Sequence, residues 1–120
     1  MTSQQILNRA AGLIEKKGLS FEGTKPEGPY CVGAALVYSS YEQQKGKRKF
    51  NDKEYVIARN VLTGLIGVNS SYESIVDWND DFYNDKKGKK IYKRTKEEVV
   101  KKLRQAAQLA AEPDKVNTKS

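Results

Sequence analysis

The sequence predicts an all-α fold, a compact bundle of about four helices carrying a basic loop or hairpin insertion at residues 82–94 and a disordered C-terminal tail. Three observations predict it. Helix start signals recur at Thr2, Asn51, Ser70-Ser71 and Thr95. Apolar residues at helical spacing follow them. A chain of 120 residues supplies one core, so the segments must pack on one another. One helical domain is expected over residues 1–112, with residues 113–120 as the tail.

The first helix opens at Thr2, with Gln5 in the capping-box position. Ile6, Leu7, Ala10, Leu13 and Ile14 make its buried face. Lys16 and Lys17 suit the negative end of the helix dipole, and Gly18 suits a left-handed C-cap. Residues 19–30 hold Gly23, Pro26, Gly28 and Pro29 and read as a loop, with a short extended piece at 19–21. The apolar run from Cys31 to Tyr38 fits a buried helix or a buried strand by periodicity. Gly33, Ala34 and Ala35 are poor strand formers, which favours a helix packed closely on a neighbour and continuing into Ser39, Ser40, Tyr41 and Glu42.

Residues Gln43–Phe50 read as a polar basic loop. A third helix starts near Asn51 or Asp52, buries Tyr55, Val56, Ala58, Val61, Leu62, Leu65 and Ile66, and stops at Gly67. A short helix through Ile75, Val76 and Trp78 is broken by Asn79-Asp80-Asp81. Thr95 and Glu98 open the last helix, whose face is Val99, Val100, Leu103, Ala106, Ala107 and Ala110, with Pro113 just beyond its end.

Composition excludes much chemistry. With no histidine there is no Ser-His-Asp triad, no Cys-His dyad and no histidine zinc site. A single cysteine excludes an intramolecular disulfide and a Cys-x-x-Cys redox pair, and leaves Cys31 as a free thiol in a small apolar environment. No enzyme activity, cofactor or metal is expected. The N-terminus reads as an amphipathic helix and not as a signal peptide, and the longest apolar run, Ala34–Tyr38, is far short of the roughly 20 residues that span a bilayer. No membrane association and no disulfide-linked partner is expected, which fits a cytoplasmic setting.

Asp77, Asp80, Asp81 and Asp85 concentrate carboxylates, the donors a hard cation needs, but lack the spacing of an EF-hand loop; helix termination and lysine pairing account for them as well. Trp78, the sole tryptophan, reads as a core anchor, with ligand stacking as the alternative. Charge is the main positive signal. The chain carries +7, yet residues 86–104 hold ten Lys and Arg against two Glu, a net +8, and the other 101 residues sum to −1. A localised patch of this kind attracts phosphates.

The succession of Cys31-Val32-Gly33-Ala34, Trp78-Asn79-Asp80 and Thr95-Lys96-Glu97-Glu98-Val99 behind an amphipathic N-terminal helix resembles a family of small uncharacterised bacterial and phage proteins. That family carries Cys-x-x-Gly-Ala, Trp-Asn-Asp and Thr-x-x-Glu-Val motifs. The resemblance covers residues 2 to about 111. It implies a helical architecture, a bacterial or phage origin and a bacterial host cytoplasm, and it transfers no mechanism. It also suggests that Trp78 plugs the core while Asn79 and Asp80 tie the end of one helix to the start of the last.

The expected function is a small non-enzymatic module that contacts nucleic acid or another polyanion. Lys86, Lys87, Lys89, Lys90, Lys93 and Arg94 would make the main electrostatic contacts, Lys47 and Arg48 secondary ones, and Tyr83 and Tyr92 would stack on bases. The alternative is a protein-directed inhibitor or accessory factor acting on a bacterial defence enzyme.

Overall fold

Helices begin where a short side chain accepts from an amide that the first turn leaves without a partner. In the structure, a computed structural model describing residues 1–111, Thr2 Oγ1 accepts from the Gln5 amide at 3.2 Å while Gln5 Oε1 accepts from the Thr2 amide at 2.9 Å, opening α1 (Ser3–Lys17). Cys31 Sγ accepts from the Ala34 amide at 3.4 Å to open α2 (Val32–Ser39). Asn51 does the same for Glu54 at α3 (Asp52–Ile66), and Ser71 for Ser74 at α4 (Tyr72–Asn79). Thr95 Oγ1 accepts from the Glu98 amide at 3.1 Å before α5 (Lys96–Ala111). Gly67 ends α3 in the left-handed conformation. Gly18 has a positive φ of 98° but an extended ψ of 163°, so the expected left-handed helical C-cap is absent there. The tail expected at 113–120 lies outside the described residues.

The all-α expectation is overturned by two antiparallel hairpins. β1 (Tyr41–Gln44) pairs with β2 (Lys47–Phe50), where the sequence reads as a helix end and a basic loop. The turn is Lys45-Gly46, both at positive φ, the conformation that tight hairpins need. Lysine is not a residue that announces such a turn, which hides the hairpin in the sequence. Cross-strand packing supports it: Tyr41 meets Phe50 edge-on at 5.1 Å, and Phe50 reaches Tyr55 of α3 at 5.2 Å. β3 (Phe82–Asn84) pairs with β4 (Lys90–Tyr92), so the insertion is a hairpin and not a loop without strands. The short extended piece expected near Leu19 is present as a parallel bridge between Leu19 and Tyr30.

The core forms around α1, whose Ile6, Leu7, Ala10, Ala11 and Ile14 are fully buried. α1 packs on α2, α3 and most extensively on α5, where Ala106 and Ala107 permit close approach. α5 buries Val99 and Leu103 as its periodicity requires. α3 buries Tyr55, Ala58, Leu62 and Thr63. Val56, expected inside, lies off that stripe and is 38% exposed. Trp78 packs against the core but stays half-buried, so the plug expected there is partial.

The fully buried side chain of the Trp-Asn-Asp motif is Asn79. Its Oδ1 accepts from the Val32 amide at 2.9 Å, one of the free donors of α2's first turn. Its Nδ2 donates to the Ser20 carbonyl at 3.0 Å and to Asp80 Oδ1 at 2.8 Å. Asp80 Oδ1 also accepts from the Glu22 amide at 3.0 Å. Asn79 and Asp80 therefore tie the end of α4 to the start of α2 and to the 19–30 loop, and not to α5 as the motif suggested. Nearby, α2 and α4 approach so closely that a Cβ on Gly33 would sit 2.8 Å from Tyr72 Cε2.

Asn79→Ala leaves the Val32 amide and the Ser20 carbonyl without partners in the interior and is expected to cost about 2–3 kcal/mol. Gly33→Ala is expected to cost about 1–3 kcal/mol by overpacking. Urea unfolding followed by circular dichroism reads both, and unchanged midpoints would remove these contacts from the stabilising set.

Candidate functional site

The β3–β4 hairpin carries the basic residues that the sequence singles out, and its geometry sorts them into two groups. At the tip, Asp85 Oδ1 accepts from the amides of Lys87 and Lys89, both at 2.8 Å, and Gly88 takes a positive φ of 80°. This turn holds Lys86, Lys87 and Lys89 exposed around one bend. None of the three has a carboxylate within ion-pair distance among the described residues.

Nearer the body, the cations are paired. Lys90 Nζ lies 3.0 Å from Glu22 Oε2 and 4.1 Å from the centre of the Phe82 ring. Lys93 meets Asp81 at 3.3 Å. Arg94 Nε donates to the Trp78 carbonyl at 3.0 Å, its guanidinium lies 4.3 Å from the centre of the Trp78 ring, and Nη1 reaches Glu98 at 3.4 Å. Arg94 thus joins the end of α4 to the start of α5. Further along, Arg104 pairs with Glu15 of α1 at 2.6 Å. Two of these acids, Glu15 and Glu22, are distant in sequence and are brought by folding onto the segment that looked most cationic.

The aromatic candidates divide in the same way. Tyr92 stacks on Phe21 with ring centres 4.1 Å apart and planes 3° apart, which covers one of its faces. Tyr83, on the opposite face of the hairpin by register, is 53% exposed. Phe82 is 42% exposed and carries Lys90 over its ring. On the other hairpin, Lys47 is exposed and Arg48 lies over the Tyr41 ring at 4.3 Å. The 19–30 loop lies between the hairpins. Phe21 and Glu22 contact β4, while Pro26 and Tyr30 line a cleft with Arg48.

Three of the four carboxylates of the acidic cluster have separate partners, and the fourth, Asp77, is exposed. Asp80 accepts from the Glu22 amide, Asp81 pairs with Lys93 and Arg94, and Asp85 shapes the hairpin turn. No group of three or more metal-ligating side chains converges among the described residues. Cys31 is buried, and burial pushes its thiol above the ordinary value of 9.0. A thiol held protonated is a poor nucleophile. Burial likewise raises Tyr55 and Tyr72 above 10.0. Among the described residues no helix is long and apolar enough to cross a membrane.

A family of unknown function, DUF6197, matches residues 1–109. No curated protein and no solved structure matches the chain. The family match supports the expected resemblance only at that level. The cysteine motif in this chain is Cys31-Val32-Gly33-Ala34, one residue tighter than the Cys-x-x-Gly-Ala spacing of the resemblance.

Two outcomes follow for this region. Cys31, Tyr55 and Tyr72 stay protonated in the fold at pH values where the unfolded chain ionises them, so their stabilising contribution is full near neutral pH and falls as pH rises through about 9 and beyond. Urea midpoints at pH 7.5, 9 and 10.5 are expected to decline in that order. Cys31→Ser, which keeps a capping oxygen, is expected to flatten the first part of the decline. Arg94→Ala is expected to lower the melting temperature through loss of the Trp78 and Glu98 contacts while changing oligonucleotide affinity less than removal of a tip lysine, and the reverse ranking would make Arg94 a contact residue.

Proposed function

The chain belongs to DUF6197, whose description carries no activity, and we propose that it is a non-enzymatic module binding single-stranded nucleic acid through the tip of the β3–β4 hairpin. The observation that carries this reading is the contrast within one hairpin. Lys90, Lys93 and Arg94 are paired with carboxylates, whereas Lys86, Lys87 and Lys89 project from the tip without such partners among the described residues. Unpaired lysines around one bend raise the local potential and release counterions when a phosphate backbone replaces them. Tyr83, exposed on the same hairpin, adds a ring on which an unpaired base stacks. The contact set is thereby narrowed to Lys86, Lys87, Lys89 and Tyr83, with Lys47 of the other hairpin a secondary contact. The two-stranded hairpin holds these groups on a hydrogen-bonded frame, which lowers the ordering cost of binding relative to an open loop.

The protein-directed alternative rests on another surface. Val56 and Ile57 lie adjacent on the outer side of α3, each nearly two-fifths exposed, and offer an apolar contact to a protein partner. A partner captured from nuclease-treated bacterial lysate and released by Val56→Ser with Ile57→Ser would favour this reading.

Fluorescence anisotropy with labelled single-stranded DNA and RNA at about 50 and 200 mM salt tests the leading proposal. Binding is expected to weaken steeply with salt. The variant carrying Lys86→Gln, Lys87→Gln and Lys89→Gln is expected to lower the slope of log K against log salt by about 2–3. Absence of binding at the lower salt, or an unchanged slope in the variant, would overturn it.

A further inference from the structure

We propose that the cleft between α1 and the β1–β2 hairpin is a nucleotide site, distinct from the lysine tip, in which Arg9 and Arg48 hold a phosphate. The cleft has a volume of about 720 Å³ and is walled by Gln5, Asn8 and Arg9 from α1 and by Tyr41, Gln43 and Arg48 from the hairpin. That volume is large enough for a small ligand, and the cleft is open to solvent on one side.

Its two arginines come from different elements and neither pairs with a carboxylate among the described residues. Arg9 Nη1 donates to a weak acceptor, the Met1 sulfur at 3.0 Å, and to the Tyr41 carbonyl at a long 3.4 Å. The Arg48 guanidinium carbon lies 4.3 Å from the centre of the Tyr41 ring, a cation–π contact that leaves its N–H donors without a hydrogen-bond partner among the described residues. The one carboxylate on the cleft wall, Glu42, is already engaged by the Met1 amine at 3.1 Å and by the side-chain amides of Gln44 and Asn51. It does not neutralise the arginines. Two guanidinium groups and the amide side chains of Gln5, Asn8 and Gln43 line one cleft, which gives it the charge and the N–H donors that a phosphate takes.

A neighbouring cleft indicates why the phosphate belongs to a nucleotide. Arg48 also lines a second cavity of about 390 Å³, whose other walls are Leu13, Pro26, Tyr30 and Tyr38. Tyr30 and Tyr38 meet edge-to-face at 5.5 Å, and the Tyr30 hydroxyl donates to the Pro26 carbonyl at 2.9 Å, which holds its ring in place. The cavity is an aromatic and aliphatic wall ending at a phosphate-binding side chain. A flat base against Tyr38 with its phosphate at Arg48 and Arg9 uses both clefts, and a simple anion uses only one.

The intact chain is titrated with AMP, adenosine, inorganic phosphate and a short oligo-deoxythymidine, followed by calorimetry and by amide chemical shifts. AMP is expected to bind with shifts at Arg9, Tyr38, Tyr41 and Arg48, and adenosine and phosphate to bind at least about tenfold more weakly. Arg9→Gln with Arg48→Gln is expected to weaken AMP by about tenfold or more, and Arg48→Lys to recover part of the loss, because it restores charge without the fork. Circular dichroism of these surface variants excludes unfolding as the cause. Oligonucleotide affinity above that of AMP, lost in the arginine variant, identifies the nucleotide as part of a strand; equal affinities identify a free nucleotide. The variant of Lys86, Lys87 and Lys89 is expected to retain AMP binding, which separates this site from the hairpin tip. No AMP binding at about 5 mM, unchanged affinity in the arginine variant, or phosphate binding as well as AMP would overturn the assignment.

Discussion

One carboxamide holds the irregular half of this protein to the regular half. Asn79 is fully buried, and its oxygen and nitrogen are both engaged. It caps α2, closes α4 and fixes the first turn of the 19–30 loop. A buried amide of this kind is costly unless each polar atom finds a partner, so the position of any one element constrains the other two. From that tie the remaining architecture follows. The 19–30 loop is anchored at Ser20, which places Phe21 against Tyr92 and Glu22 beside Lys90. The β3–β4 hairpin, too short to persist alone, is thereby seated on the loop.

The same tie shapes the electrostatics. In the sequence, residues 86–104 form a cationic block. In the fold, Glu22, Asp81, Glu98 and Glu15 meet Lys90, Lys93, Arg94 and Arg104. The free positive charge is redistributed to the hairpin tip, to the exposed lysines of α5 and to the arginines beside α1. Exposed ion pairs of this sort stabilise little by themselves, but each removes a cation from the set available to an anionic partner.

Arg94 illustrates how a residue changes meaning between the two descriptions. Counted in sequence, it is one more positive charge beside Lys93. Folded, it covers Trp78, donates to the Trp78 carbonyl near the end of α4 and meets the first turn of α5. Arg9 changes in the opposite direction. It reads as an ordinary polar residue on the outer side of the first helix, and only the return of the β1–β2 hairpin makes it one wall of a cleft with Arg48.

Four of the five helices were legible from sequence because their signals are local: a capping side chain, an amide three residues on, and apolar residues at a 3.6 period; α2 was legible only from its small residues, and it ends at Ser39 and not at Glu42. Those features act within one or two turns, and no distant residue is needed to read them. The Gly33 contact was legible in kind, since small residues imply close packing, though not its partner Tyr72. The β1–β2 hairpin was not legible. Its strands are four residues long, its turn uses Lys45, and its support comes from Tyr55 on another element. The pairing of Asp81 with a nearby lysine was legible, whereas the Glu22–Lys90 and Glu15–Arg104 pairs were hidden, because Glu22 and Lys90 stand 68 residues apart. Composition and short-range spacing thus determined the helices and the exclusion of histidine chemistry. Which cations remain free, and which arginines face each other, was decided by tertiary structure alone, because electrostatic pairing depends on distance in space and local patterns carry no record of it.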